Sequence, residues 1–248
     1  MSSTTPRPRP PSLGEAAPYF EAPSTYGRVR LTDYAGRWLV FFAHPADFTP
    51  VCTSEVVSFA RRHHDFQALH CALVGISRDS VKTHLAWIRS IEESFGVSVA
   101  FPILEDPSLA ISRLYAMAPT EAGDAASLRA LFVIDPAGKL RASLYYPCTT
   151  GRSVEEVLRL VHALQLSDLQ GTVAPEGWRP GDAMLAAPKL TVIAKEDPRE
   201  LGYGCVDWFD YAPPATSMPG APPTLTRREA APPPPPPRAA AGVQPERH

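Results

Sequence analysis

The chain has 248 residues, 44% of them hydrophobic, with a net charge of −2 and a pI near 6.4. That length suits one large domain or one domain with an appendage, and the apolar content supports a sizeable core. The near-neutral charge argues against a nucleic-acid or anionic-membrane partner recognised through bulk electrostatics.

The cysteines Cys52, Cys71, Cys148 and Cys205 are far apart and form no C-x-x-C pair. They read as reduced thiols of a cytoplasmic protein rather than as a disulfide framework. The N-terminal stretch MSSTTPRPRPPSLG has arginines but no apolar h-region, so no secretory signal is expected. Apolar runs such as 38-WLVFFA-43 are too short for a transmembrane helix, so no membrane partner is expected either.

More than half of the 29 prolines fall at the two ends, six of them in the run Pro232–Pro237. Residues 1–11 and 212–248 are therefore predicted to be disordered, Pro-rich tails, unable to bury enough apolar surface to offset the entropy of ordering. A solubilising role is expected for the C-terminal tail, with a ligand for a proline-recognising module as the alternative.

Between the tails, strands alternate with helices. An edge strand is predicted over 28–34 and a buried strand over 38–43. A helix follows over 53–69, with Val56, Val57, Phe59, Ala60, Phe66 and Leu69 inward. Residues 71-CALVGIS-77 read as a second buried strand. Residues 80–95 read as a helix carrying Leu85, Trp87, Ile88 and Ile91. A short strand over 101–106 and a short helix over 108–115 come next.

The runs 129–135 and 139–146 form a predicted hairpin, because Pro136-Ala137-Gly138 is good turn chemistry. An amphipathic helix follows over 153–168, with Ser153 and Glu156 at capping-box spacing. The pattern implies an α/β domain over 12–168 with a mixed central sheet flanked by helices. Residues 169–211 are turn-rich and read as a small C-terminal lobe, with Trp178 and Trp208 as its packing residues.

The chemistry concentrates in 44-HPADFTPVCTSE-55. The loop after strand 38–43 feeds a helix that starts near residue 52 or 53, which puts Cys52 at the helix N-terminus. Unpaired N–H groups and the positive dipole end favour an anion there, and so a thiolate. Glu55 is placed to bond back to the backbone or to hold an arginine. Locally, a reactive thiol and an ordinary small buried residue both remain open readings of Cys52.

Taken with its surroundings, this motif resembles that of the peroxiredoxins, thiol peroxidases of the alkyl hydroperoxide reductase/thiol-specific antioxidant superfamily. The likeness is greatest to their single-cysteine subfamily. It is carried by residues 12–38, by P-x-x-x-T-x-x-C at 45–52, and by 128-LRALFVIDPAGKLRASLYYPCTTGRSVEEVLRLVHALQLSD-168. In the lobe it is carried by 178-WRPGD-182 and 202-GYGCVDW-208.

The resemblance implies a thioredoxin-like fold and reduction of hydrogen peroxide and alkyl hydroperoxides. Cys52 corresponds to the peroxidatic cysteine, which becomes a sulfenic acid. Thr49 corresponds to a hydroxyl that bonds thiolate and peroxide, and Pro45 to a shield over the thiolate. Arg129 corresponds to a cation that stabilises thiolate and departing oxygen. His44 corresponds to a subfamily histidine near the peroxide, and Glu55 with Arg152 to a supporting pair. No cofactor is implied, because the sulfur itself carries the redox chemistry.

The resemblance leaves two routes for reducing the sulfenic acid. Cys205 sits in a C-x-D-W sequence like that of relatives with a resolving cysteine pair, but Tyr211 stands where the second cysteine would be. Otherwise an external thiol or thioredoxin-like reductant acts. A homodimer or dimer-based oligomer is implied. Cys71 reads as inert core, and no family role attaches to Cys148. His63 and His64 diverge around a helix, so no metal site is expected there. A redox-regulated holdase or peroxide-signalling interaction protein is the alternative function. The segment 31-LTDYAGRW-38 lacks the serine and histidine that accompany phospholipase activity in some members, so that activity is not expected.

Overall fold

The computed structural model describes residues 10–117, 129–187 and the backbone of 211–212. Most of each predicted tail, together with Cys205 and Trp208, lies outside the described residues.

The elements run β1 Glu21–Ser24, β2 Gly27–Arg30, a 3-10 turn Leu31–Tyr34, β3 Trp38–Ala43, α1 Pro50–Arg61, α2 His63–Ala68, β4 Cys71–Ser77 and α3 Val81–Phe95. Then come β5 Ile103–Glu105, α4 Ala110–Leu114, β6 Arg129–Ile134, β7 Leu140–Tyr146, α5 Val154–Gln170, β8 Thr172–Val173, β9 Met184–Ala186 and β10 Tyr211–Ala212.

Seven strands form a mixed sheet in the order β2-β1-β5-β4-β3-β6-β7. β3, β4 and β5 are parallel, and β6 and β7 add antiparallel on one side. β3 is buried along its whole length and feeds both faces. Trp38, Val40 and Phe42 join a core with α1, α2, α3 and α5, while Leu39, Phe41 and Ala43 join the opposite core with Phe20 and Tyr115. A period of two divides the strand in this way, and cover on both faces explains its unbroken apolar run. Phe42 stacks on Phe59 at 4.4 Å between ring centroids, which seats α1 on the sheet.

Several elements differ from expectation. The predicted edge strand shortens to β2, and β1 is an additional strand paired to it. The helix over 53–69 divides at Arg62, whose φ of −102° and ψ of 10° end α1 and begin α2. On α3 the inward face is His84, Trp87 and Ile91, while Leu85 is exposed. Positions 84, 87 and 91 share one helix face, and the polar partners of His84 described below let an imidazole occupy it.

In the β6–β7 turn, Gly138 takes φ 77°, and Asp135 Oδ1 accepts the N–H groups of Ala137 and Lys139. At α5, Ser153 Oγ accepts from the Glu156 N–H, but the Glu156 carboxylate pairs with Arg159, so the capping box is half-formed. Trp178 is buried against Ala163, Leu166 and Met184, beside the three-stranded sheet β10-β9-β8.

Candidate active site

The site begins where β3 stops. The His44 N–H still bonds the Ile76 carbonyl at 3.0 Å, extending the ladder to β4 by one residue. The loop then turns away, tied at the Asp47 N–H by Asp79 Oδ2 at 2.8 Å. Phe48 adopts a left-handed φ of 56°, a sparsely populated region for a bulky residue that costs about 1 kcal/mol or more. Thr49 returns to extended backbone as the N-cap, and Pro50 opens α1 at a position where no N–H is required.

Helix α1 therefore starts two or three residues earlier than the pattern indicated, and Cys52 is the third helical residue. The side chain of Thr49 does not cap the helix. Its hydroxyl donates to the Ala46 carbonyl at 2.9 Å, which pins the loop. First-turn N–H groups have no intrahelical partner, so the helix start favours an anion.

Cys52 is 0% exposed. Arg129, at the start of β6, donates from Nη1 to Cys52 Sγ at 3.3 Å. The same nitrogen donates to Glu55 Oε2 at 2.7 Å, and Nε and Nη2 each reach the Cys148 carbonyl at 3.0 Å. All three donor nitrogens are held by fixed acceptors, so the guanidinium cannot swing off the sulfur without losing them.

Behind it, Arg152 bonds Glu55 through its backbone N–H, Nε and Nη2, and bonds the Ala130 carbonyl through Nη1 at 2.7 Å. Its guanidinium lies over the Phe42 ring, 5.4 Å from the centroid. Burial alone would push the Glu55 carboxyl up, but the bonds and charges of Arg152 and Arg129 outweigh it and hold Glu55 below the ordinary carboxylate range.

Two buried guanidiniums against one carboxylate leave one positive charge beside Sγ. A thiolate at Cys52 neutralises it. The arrangement suits attack by sulfur on an electrophile whose leaving atom gathers negative charge next to Arg129.

Both arginines are buried, so neither is a solvated surface charge. Pro45 is half-buried in the same loop. His44 is buried, and its Nε2 lies 2.8 Å from Asp47 Oδ1 while its Nδ1 has no hydrogen-bond partner. Burial pulls the His44 pKa down, against the pull of Asp47.

Of three further residues near this loop, Asp47 and His84 are assigned no role from the sequence, and Trp87 is expected only as an apolar residue of its helix. Asp47 is bonded by both His44 and His84. Trp87 lies 5.0 Å from the His44 ring and donates to Thr53 Oγ1 at 3.1 Å, beside Cys52. The signal for His84 was its placement on the Trp87 face of α3. Among the described residues, His44, Asp47 and His84 are the group whose ligand-type atoms lie close enough to surround a metal ion. Those atoms are engaged with one another, so a hydrogen-bonded cluster accounts for the arrangement without an ion.

The AhpC/TSA family model matches residues 13–143, and the C-terminal domain of 1-Cys peroxiredoxin matches 163–197. A peroxiredoxin of Aquifex aeolicus is 42% identical over 210 residues, covering 80% of this chain and 95% of its own. A structure of the yeast mitochondrial 1-Cys peroxiredoxin aligns with a TM-score of 0.68 at 40% identity, over 71% of this chain and 87% of that one. A cysteine-to-serine mutant of the peroxiredoxin 6 of Arenicola marina aligns with a TM-score of 0.72 at 32% identity, over 83% of this chain and 99% of that one. Matched over more than half its length, and across most of the length of these relatives, the chain belongs to the AhpC/TSA family and is a peroxiredoxin, a thiol-dependent peroxidase.

Proposed function

We propose that Cys52 is the peroxidatic cysteine, with Arg129 and Thr49 as its catalytic partners and Pro45 as the wall that shields it. The Cys52 thiolate attacks the terminal oxygen of hydrogen peroxide or an alkyl hydroperoxide. The sulfur–oxygen bond forms as the oxygen–oxygen bond breaks, leaving a sulfenic acid and an alkoxide or hydroxide that takes up a proton. Arg129 stabilises the charge on the departing oxygen. The Thr49 hydroxyl, donating to Ala46 in this state, turns its hydrogen bond to the peroxide when substrate enters. Glu55 and Arg152 fix the aim of Arg129, and His44 lines the pocket.

The 3.3 Å approach of Arg129 to Cys52 Sγ carries this reading. Cys52→Ser tests it: peroxide consumption is expected to vanish, and retained turnover would refute the assignment. A dimedone-type probe is expected to label Cys52 after one equivalent of peroxide.

We assign the reduction step to an external thiol, with Cys205 as the competing resolving thiol. The yeast relative is described as resolved via glutathione/thioredoxin systems, which supports the external route. Peptide mass mapping after peroxide separates the two, because a Cys52–Cys205 disulfide appears only if Cys205 resolves. A reducing cytoplasm suits the external route, and among the described residues no helix is long and apolar enough to cross a membrane. We also assign a homodimer or dimer-based assembly, for which β7 at the sheet edge is a candidate contact. For domain organisation we keep a peroxidase domain over 12–168 and a C-terminal domain over 169–211, between Pro-rich tails.

A further inference from the structure

Beneath the active-site loop, a carboxylate is held between two histidines. Asp47 Oδ1 lies 2.8 Å from His44 Nε2, and Asp47 Oδ2 lies 2.7 Å from His84 Nδ1. The other nitrogen of His84, Nε2, lies 3.1 Å from the Leu104 carbonyl oxygen. All three side chains are buried.

The acceptors determine where the protons are. A carbonyl oxygen only accepts, so His84 Nε2 carries a hydrogen. An ionised carboxylate also only accepts, so His84 Nδ1 carries one as well, and the ring is an imidazolium. The His44 and His84 bonds hold Asp47 below the ordinary carboxylate range, although burial opposes them. The Asp47–His84 pair is then neutral as a whole.

His44 must donate from Nε2 to the remaining carboxylate oxygen. A second imidazolium would have no anion of its own, in a buried site that also feels Arg152. His44 is therefore the neutral Nε2–H tautomer. Its Nδ1 carries a lone pair, and that atom is a buried nitrogen with no partner.

We propose that His84 is a positioning residue for the peroxidase reaction. It keeps Asp47 ionised, and Asp47 holds His44 in the tautomer whose Nδ1 lone pair accepts a hydrogen bond from the hydroperoxide O–H. This rests on Cys52 being the attacking atom, so that His44, beside Pro45, borders the peroxide. The helix that supplies His84 also supplies Trp87, which packs on His44 and bonds Thr53. A single element thus sets the protonation and the orientation of the His44 ring.

The first test is ring nitrogen NMR on the full-length reduced protein labelled at histidine, assigned with His44→Gln and His84→Gln. His84 is expected with both nitrogens protonated, and His44 with a protonated Nε2 and a bare Nδ1. A neutral His84, or a His44 protonated at Nδ1, overturns the proposal; the variants serve only to assign the signals, and the protonation states are read on the unaltered chain.

The second test is the rate constant for oxidation of Cys52 by hydrogen peroxide. His84→Gln is expected to slow it by roughly tenfold or more, and to release His44 into a tautomer mixture. The double variant is expected to be no slower than His44→Gln alone, because His84 acts through His44. Losses that multiply, or a wild-type rate in His84→Gln, overturn it. The Cys52 assignment fails separately, through turnover in Cys52→Ser.

Discussion

Arg152 holds Glu55 from two sides, with its backbone N–H and Nε each 2.7 Å from Oε1 and its Nη2 2.9 Å from Oε2. Arg129 takes the same carboxylate at Oε2, 2.7 Å away, from the nitrogen that faces Cys52. Glu55 is thus the anion that lets two guanidiniums share one buried site, and it orients the one that touches sulfur.

Glu55→Gln removes that anion and leaves two buried cations short of a counter-charge. Breaking a buried pair from one side costs about 3–5 kcal/mol. Urea unfolding is expected to show a loss of that order, with peroxidase activity reduced in the protein that remains folded. A midpoint equal to wild type would show that the network contributes nothing to stability.

Acid should weaken the fold through the same group. The Glu55 carboxyl lies below its ordinary value of 4.5 in the folded chain, and Asp47 lies below its ordinary 3.8. A depressed folded value means that the ionised form favours folding. The stabilisation is complete above the ordinary values and is lost as pH falls through the depressed ones. Urea midpoints measured downward from pH 6 should drop below about 4.5, and Glu55→Gln should flatten that drop.

Arg129→Lys keeps the charge and loses the fork. A lysine ammonium cannot meet the sulfur, the Glu55 carboxylate and the Cys148 carbonyl in the geometry a guanidinium provides. The rate constant for peroxide is expected to fall about a hundredfold, the scale of losing one preorganised donor to developing charge. Stopped-flow oxidation of the reduced variant measures this, and a near-wild-type rate would place the cation's contribution elsewhere.

The thiols should differ sharply in reactivity. Cys71 is buried in β4, and burial pushes its thiol up to about 12. In the native protein it is expected to stay unmodified by iodoacetamide at about pH 8 while Cys52 reacts, and to react once urea unfolds the chain. Quantitative peptide mass spectrometry reads both sites in one experiment.

Much of the order of elements is a local property of the chain. The apolar run 38–43 is buried on both sides because neighbouring strands and both core layers cover it, and β4 over 71–77 follows the same rule. The loop, the proline at the helix start and the cysteine behind it could likewise be read from one short segment. Boundaries were less legible. Nothing local marks Arg62 as the end of α1, and the exposed Leu85 cannot be told from a core residue until the partners of His84 are known.

The sequence by itself determined that a thiol stands at a helix N-terminus after a buried strand, because strand period, proline placement and helix start are set by near neighbours. Only the tertiary structure decided which charges meet it. Arg129 reaches Cys52 across 77 residues, Arg152 reaches Glu55 across 97, and His84 reaches Asp47 across 37. Those meetings follow from β6 lying beside β3 and from α3 packing under the loop. Sheet order and side-chain direction decide them, and both depend on contacts between segments that no local window contains.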